Sequence, residues 1–148
     1  MLLNLDFLKF QPMLQLSESG GKRTVFDPVR RREVVLTPEE LLRQLVLLYL
    51  LEEKKYAPGR VRVEMGLEVN GLQKRCDLLV FDATLRPWLL VECKSPKVPL
   101  TQDTFEQVAR YNMPLQVPFL AVTNGLSTAV CALDYEAKGF AFLADFPD

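Results

Sequence analysis

Histidine is absent from the 148 residues of the sequence. Its absence excludes Ser-His-Asp and Cys-His catalysis, histidine acid–base chemistry and every metal site with a histidine ligand. The three cysteines, Cys76, Cys93 and Cys131, form no C-x-x-C pair, so without histidine they do not predict an ordinary zinc site. Any catalysis would therefore depend on carboxylate, lysine, tyrosine, hydroxyl or thiol groups.

An excess of charge of one sign is also absent. The 18 Lys and Arg residues are balanced by 19 Asp and Glu residues, which gives a net charge of −1. A nearly neutral chain does not bind polyanions in general, so contact with DNA would require a local basic patch.

No apolar run is long enough to span a bilayer. The longest, residues 41–51, is interrupted by Arg43 and Gln44. Residues 1–10 lack the basic start of a signal peptide. Because the number of cysteines is odd and no secretory signal precedes them, we expect a cytoplasmic protein without a membrane partner.

The length is that of one domain. Residues 1–23 show little pattern and end in a stretch rich in Ser and Gly, so we expect a flexible leader before a single domain over residues 24–148. Residues 24–26 and 33–36 flank Asp27-Pro28 and predict a short hairpin.

Two helices and six further strands are expected after the hairpin. Thr37 is a good N-cap and Pro38 suits the first turn, which predicts a largely buried helix to about Lys55. A second helix is expected over residues 101–112. Apolar patterning predicts strands over residues 61–69, 76–81, 88–93, 119–123, 129–133 and 140–143. The order ββ-α-βββ-α-βββ predicts an α/β fold with a mixed sheet, in which the crossover between the third and fourth of these strands is parallel and right-handed.

Three charged residues lie in or at the ends of the central strands. Asp77 precedes four apolar residues, whereas Glu92 and Lys94 follow three others and share one face of their strand. If the two strands are hairpin neighbours, Asp77 can reach Glu92. Two adjacent carboxylates repel each other unless a cation lies between them, and oxygen ligands suit Mg²⁺ or Mn²⁺. With Lys94 to position a water and stabilise developing charge, this set predicts a metal-dependent site for phosphodiester hydrolysis.

A purely structural role is the alternative for these residues, because E-x-K is a very common tripeptide. Asp77 would then form an ion pair with Arg75 or Lys94 at the strand end. The chain would in that case be a structural protein.

Five segments carry a resemblance to a known family. They are Arg-Cys-Asp-Leu-Leu-Val-Phe at residues 75–81, Leu-Leu-Val-Glu-Cys-Lys-Ser-Pro at 89–96, Gln-Val-Ala-Arg-Tyr-Asn at 107–112, Thr-Pro-Glu-Glu-Leu-Leu-Arg-Gln at 37–44 and Thr-Asn-Gly at 123–125. Together they resemble the PD-(D/E)XK nuclease superfamily, and more narrowly the N-terminal nuclease domain of type I restriction enzyme R subunits. The resemblance extends over about residues 25–133.

The resemblance implies a restriction-endonuclease-like fold, with a mixed β-sheet flanked by helices, and a metal-dependent DNA endonuclease. Asp77 and Glu92 would bind Mg²⁺ or Mn²⁺, Lys94 would be the catalytic lysine, and Gln107 and Tyr111 would match the family's Q-x-x-x-Y helix. The family joins this domain to a helicase-like motor, so DNA and restriction-modification or helicase subunits are the expected partners. A catalytically silent module of the same fold, binding DNA or a partner, is the alternative.

A glutamate of the first helix would complete the implied site. We assign Glu40 to this role, although Glu39 remains open. Glu40 also has a structural explanation, since with Thr37 it forms a capping box.

Gln107 and Tyr111 lie four residues apart, on a helical face different from the one that should pack on the sheet. They are either solvated surface or a contact to DNA or to the active site.

A basic run at residues 22–32, which includes Arg30 and Arg31, has a net charge of +4. Such runs are usually solvated, but clustered charge of this kind is also sufficient for contact with DNA phosphates.

Overall fold

The structure, a computed structural model, describes residues 2–148, with Val69 described as backbone only. Nine strands and two α-helices occur within these residues. In chain order they are β1 Leu16–Ser19, β2 Lys22–Asp27, β3 Arg32–Val35, α1 Pro38–Leu48, β4 Val61–Val69, β5 Leu72–Phe81, β6 Pro87–Cys93, α2 Gln102–Asn112, β7 Phe119–Thr123, β8 Thr128–Asp134 and β9 Gly139–Phe142. None of the described helices is long and apolar enough to cross a membrane.

The last six strands form one mixed sheet in the order β4-β5-β6-β7-β8-β9. Neighbours are antiparallel except β6 and β7, which are parallel and joined through α2. The turn between β4 and β5 is Asn70-Gly71, and both residues have positive φ, as a two-residue type I′ turn requires. The predicted α/β fold, with a mixed sheet flanked by helices, is therefore confirmed, and it is consistent with a restriction-endonuclease-like fold.

Helix α1 begins where the sequence predicts. The Thr37 hydroxyl accepts a hydrogen bond from the Glu40 backbone N–H at 3.0 Å, and Pro38 occupies the first turn. The α-helix ends at Leu48 rather than near Lys55, because the next turn widens into a π-helical turn, Tyr49–Glu53. Apolar residues continue through both turns, so their pattern does not reveal where the helix changes type.

The segment before residue 24 contains more structure than its sequence indicates. β1 pairs with β2, so the predicted hairpin becomes the three-stranded sheet β1-β2-β3. Phe7 and Phe10 are buried, and their rings pack edge-on against Tyr49. The packed core therefore extends across residue 24, because aromatic residues from the segment before it belong to the core. The flexibility of the leader stays a prediction.

Two apolar cores lie on the two faces of the six-stranded sheet. The core beneath α1 includes Leu47, Leu50, Leu78 and Val91, all fully buried, and the core beneath α2 includes Leu79, Leu90, Val108 and Leu120. Strands β5 and β6 are covered on both faces, as their continuous apolar sequences predict.

Strands β4 and β5 turn from one face of the sheet to the other half-way along their length. Val63 packs in the α1 core and Met65 in the α2 core, although strict alternation would place both on one face. Glu64, between them, has a left-handed backbone with a φ of 51°. β5 changes face at the same level, at Asp77. The alternation predicted for residues 61–69 therefore holds on each side of Glu64 but not across it. The change of face brings the carboxylates of Glu64 and Asp77 to one level of the sheet.

Candidate active site

Both carboxylate oxygens of Asp77 are engaged. Oδ1 accepts a hydrogen bond from Nη2 of Arg43 in α1 at 2.9 Å, and Oδ2 accepts one from the backbone N–H of Cys93 in β6 at 2.9 Å. Because β5 and β6 are antiparallel neighbours, Asp77 lies beside Glu92. The predicted proximity of these two carboxylates is confirmed.

The guanidinium of Arg43 is almost fully buried and contacts four carboxylates. Besides Asp77, they are Glu40 at 2.7 Å, Glu39 at 3.0 Å and Glu64 at 3.3 Å. Burial alone would lower the pKa of Arg43, but its hydrogen bond to Asp77 and the surrounding negative charges raise that pKa above its ordinary value. Arg43 is therefore a permanent positive charge inside a group of carboxylates.

A second arginine, Arg30, connects the β2–β3 hairpin to the same group. Its guanidinium contacts Asp27 at 2.7 Å, Glu40 at 2.9 Å and Glu64 at 3.1 Å. The Gln44 amide donates to Asp27 at 2.8 Å and to Glu40 at 3.2 Å. Burial alone would raise the pKa of Asp27, but hydrogen bonds from Arg30, Gln44 and the hairpin backbone lower it overall. Asp27 is thus an ionised, fully partnered carboxylate.

These contacts change the expectation for the basic run. Arg30 is turned inward, with 12% of its side chain exposed, because three carboxylates surround its guanidinium. The exposed position expected for Arg30 is therefore wrong. Arg31 is exposed in the hairpin turn, as expected.

The two glutamates at the start of α1 are also distinguished. Glu40 is buried, whereas the Glu39 side chain is 71% exposed. Glu40 directs its carboxylate to Arg30 and Arg43, so the capping box with Thr37 is only half formed. Glu40 is connected to Asp77 through Arg43.

One carboxylate oxygen of Glu92 is buried without a hydrogen-bond partner. In the described part of the chain, Glu92 Oε1 shares this state only with Asn112 Oδ1. Burial, followed by the charge of Asp77 and a hydrogen bond to it, raises the pKa of Glu92 to about 8, against a smaller opposing effect of Lys94. Burial beside Asp77 therefore favours the protonated form of the Glu92 carboxyl.

A cleft of about 460 Å³ opens beside Glu92 on the α2 side of the sheet. Glu92, Lys94, Gln107, Tyr111 and Asn112 line it, together with Val98, Thr104 and Val108. Gln107 and Tyr111 are exposed, while the opposite face of α2 is buried against the sheet, as the spacing predicts. The structure thus brings four of the sequence-derived candidates to one cleft and leaves Glu40 behind Arg43, on the α1 side.

Lys94 lies between this cleft and a second one. Its backbone N–H donates to the Thr123 carbonyl at 2.7 Å, which fixes the chain directly after β6. Lys94 also lines a cleft of about 530 Å³ beside Thr37 and Glu39 at the start of α1. Among residues 2–148, no carboxylate lies within ion-pair distance of the Lys94 ammonium. A ligand at Lys94 would therefore not have to displace a carboxylate of these residues from the ammonium.

Sequence reasoning missed the arginine that holds Asp77. The structural alternative assumed that Asp77 pairs with Arg75 or Lys94, and the structure corrects the partner to Arg43. The available signal was the position of Arg43 within an apolar helical run, because a buried arginine requires carboxylate partners. The identity of those partners is not readable locally, since Asp77 lies 34 residues away.

Two further residues at the α2 cleft had no assigned role. Lys74 is buried, its ammonium lies 3.5 Å from the ring centroid of Tyr111, and it donates to the Tyr111 carbonyl, which anchors the end of α2. Asn112 donates to the Val108 carbonyl at 3.0 Å and leaves Oδ1 unpaired. The only signal for Asn112 was a polar residue on the packing face of α2.

Asp77 and Glu92 are the two residues at this junction that could hold a divalent cation. Within residues 2–148, no group of three or more Cys, Asp or Glu side chains is arranged to hold a metal ion. Asp77 and Glu92 nevertheless supply adjacent oxygen donors, and the unpaired Oε1 of Glu92 would gain a partner from a cation. The remaining ligands of such an ion would come from solvent or substrate.

A family model covers most of the chain. The family described as "Type I restriction enzyme R protein N terminus (HSDR_N)" matches residues 38–147. No curated protein matches the chain significantly. The matched region begins at the first residue of α1 and holds Asp77, Glu92, Lys94 and the helix of Gln107 and Tyr111. This family supports a restriction-related, nuclease-like domain and confirms the resemblance seen in the motifs. The chain therefore belongs to the family of type I restriction enzyme R protein N termini.

Proposed function

We propose that the chain is a metal-dependent endonuclease domain that hydrolyses DNA phosphodiester bonds as part of a restriction-modification system. The observation that carries this proposal is the unpaired, buried oxygen of Glu92, located beside Asp77 and Lys94 at the edge of a cleft. A buried carboxyl oxygen without a partner is unfavourable for the fold, and carboxyl groups with shifted pKa values in clefts are typical of functional sites.

Asp77 and Glu92 hold Mg²⁺ or Mn²⁺ in this proposal. When bound, the cation supplies a Lewis acid for the scissile phosphate. The backbone N–H of Cys93 and the guanidinium of Arg43 orient Asp77. The Lys94 ammonium, which is free of carboxylate contacts in the described structure, stabilises the charge that develops on phosphate oxygens.

DNA contacts are proposed for the exposed wall of the α2 cleft and for the hairpin. Gln107 and Tyr111 are exposed on that wall and face the same cleft as Lys94. Arg31 is exposed in the hairpin turn and can reach a phosphate, whereas Arg30 is held by carboxylates and cannot. DNA and the other subunits of a restriction-modification complex are therefore the proposed partners.

One observation favours the catalytically silent alternative. Arg43 already pairs with Asp77, so Asp77 has a cationic partner when no metal is bound. In that reading the same fold binds DNA or a partner subunit without turnover.

A cleavage assay with a matched lysine control tests the proposal. The parent chain should nick supercoiled plasmid in Mg²⁺ or Mn²⁺ and be inactive in EDTA. Lys94→Ala should reduce the rate by about 10²–10³, the usual effect of losing one transition-state charge contact. Lys97→Ala, at an exposed lysine three residues further on, should cut at the parental rate.

Two outcomes would contradict catalysis at this site. A Lys94→Ala protein that cuts like the parent removes Lys94 from the mechanism. A parent that binds DNA in a mobility-shift assay but never cuts it, with either metal, supports the silent module.

A further inference from the structure

Arg43 is the most heavily engaged side chain at the site, and the proposed reaction gives it only a supporting role. A single guanidinium contacts Glu39, Glu40, Glu64 and Asp77 at distances from 2.7 to 3.3 Å. Its Nη2 atom alone contacts three of these carboxylates. Such a contact set is larger than the orientation of one aspartate requires.

The charges around Arg43 do not balance. Arg30 and Arg43 are surrounded by five carboxylates, Asp27, Glu39, Glu40, Glu64 and Asp77, which leaves an excess of three negative charges. Asp27, Glu40 and Asp77 are largely buried, so repulsion among these three carboxylates is poorly screened. The exposed Glu39 contributes less, because solvent screens its charge. Removing Arg43 would increase the excess to four.

We propose that Arg43 is the resident counter-ion of Asp77 and competes with a divalent cation for that carboxylate. This inference rests on the proposed role of Asp77 as a metal ligand. In the metal-free protein, Arg43 neutralises Asp77 and stabilises the fold. When a cation binds, the contacts of Nη2 with Glu39 and Glu64 remain available to Arg43.

The competition follows from Coulomb's law. A guanidinium 2.9 Å from Asp77 Oδ1 and a divalent cation on the same carboxylate are like charges separated by a few ångströms. Their repulsion opposes binding of the cation. Loss of the guanidinium should therefore strengthen cation binding and weaken the metal-free fold, which are effects of opposite sign. If Arg43 only orients Asp77, its loss should weaken both cation binding and the metal-free fold.

The test measures Mn²⁺ binding and thermal stability of the full chain, without reference to activity. Binding is followed by the electron paramagnetic resonance signal of free Mn²⁺, and stability by circular dichroism melts in EDTA. Arg43→Gln should lower the melting temperature in EDTA and lower the Mn²⁺ dissociation constant by on the order of tenfold or more. Arg43→Lys retains the charge and should bind Mn²⁺ within about twofold of the parent.

A matched control separates the local contact from net charge. Arg86→Gln makes the same change of charge in the exposed turn between β5 and β6, and it should leave Mn²⁺ affinity unchanged. A folded Arg43→Gln protein with parental or weaker Mn²⁺ affinity would overturn the inference. An equal gain in Mn²⁺ affinity in Arg86→Gln would overturn it as well.

A variant that fails to fold in EDTA still gives an answer. If Arg43→Gln is unfolded without metal, Mn²⁺ should restore its circular dichroism spectrum, because the cation replaces the lost counter-ion. A protein that stays unfolded in saturating Mn²⁺ overturns the inference.

Asp77→Asn distinguishes failure of this inference from failure of the proposed function. If Asp77→Asn abolishes Mn²⁺ binding but Arg43→Gln does not strengthen it, the metal site stands and the counter-ion role falls. If Mn²⁺ binds equally to the parent and to Asp77→Asn, or binds neither the parent nor Arg43→Gln, the metal role of Asp77 and the competition both fall.

Discussion

The two sides of the site satisfy their polar groups in opposite ways. On the α1 side, defined by Asp27, Arg30, Glu40, Arg43 and Asp77, every carboxylate has a charged partner within 3 Å. On the α2 side, defined by Glu92, Lys94 and Asn112, the described structure leaves two buried oxygens unpaired and the ammonium without a carboxylate. Asp77 and Glu92 are neighbours on adjacent strands, but in the described structure only Asp77 has a cationic partner within ion-pair distance.

This difference between paired and unpaired polar groups suits a structural role for the α1 side and the proposed ligand-binding role for the α2 side. Buried polar groups are normally paired, and removing one partner from a saturated buried network is strongly destabilising. Groups left without partners in a cleft are unfavourable for the fold and are typical of ligand-binding positions. The α1 side therefore holds Asp77 in place, and this contrast supports the proposal that the α2 side presents Glu92 and Lys94 to metal and substrate.

The largest expected effect on stability comes from removing one cation from the α1 side. Arg30→Met should lower the free energy of unfolding by about 3–5 kcal/mol, the usual result of leaving buried carboxylates without their cation. The reason is that Asp27 is fully buried and Glu40 nearly so. Urea unfolding at pH 7 gives the measurement.

The neighbouring exposed arginine provides the control for this change. Arg32→Met should alter the free energy of unfolding by no more than about 0.5 kcal/mol. Equal small losses in the two variants would mean that the α1 network does not stabilise the fold.

An effect of intermediate size on the free energy of unfolding is expected on the α2 side, when the carboxyl of Glu92 is replaced by an amide. Because the pKa of Glu92 in the folded protein is raised to about 8, from an ordinary value of 4.5, the folded state keeps a proton that the unfolded state releases. Stability attributable to Glu92 is therefore lost as pH rises between these values. Glu92→Gln carries no such proton and should become more stable than the parent, by about 1–3 kcal/mol near pH 8.5.

The measurement is the free energy of unfolding in EDTA between pH 5 and pH 9. The advantage of Glu92→Gln over the parent should grow with pH and level off above the raised pKa. Glu68→Gln, at an exposed glutamate of β4, should show no such growth. A stability difference that is constant with pH would contradict the raised pKa of Glu92.

The sequence predicts the α2 side better than the α1 side, and locality is the reason. The alternation of β6 places Glu92 and Lys94 together, and the spacing of α2 places Gln107 and Tyr111 on one exposed face. Both patterns are read within a few residues. The partner of Arg43 lies 34 residues away, and which pairs form depends on the level at which β4 and β5 change face.

The same distinction applies to the fold. The start of α1 and the Asn70-Gly71 turn follow from short motifs, so both are predicted correctly. β1 and the burial of Phe10 depend on packing against distant elements, and residues 1–23 carry no local pattern for either. The left-handed backbone of Glu64 has no signal in its residue type, since glutamate rarely adopts it.

The smallest expected effect concerns the hairpin, where Arg30 is part of the α1 network and its exposed neighbours are not. Arg31 and Arg32 should account for the phosphate contacts once expected of the whole basic run. Arg31→Asn combined with Arg32→Gln should therefore reduce the salt dependence of DNA binding by about one to two units of slope, since each phosphate contact contributes about 0.9. Asparagine is chosen because Arg31 has a φ of 57°, which asparagine tolerates. Fluorescence titrations of labelled duplex at several salt concentrations give the slope.

The control changes two exposed basic residues elsewhere, Arg86→Gln with Lys138→Asn, and should leave the slope unchanged. If the hairpin variant also keeps the parental slope, Arg31 and Arg32 are ordinary solvated surface and DNA contact must come from the α2 side alone.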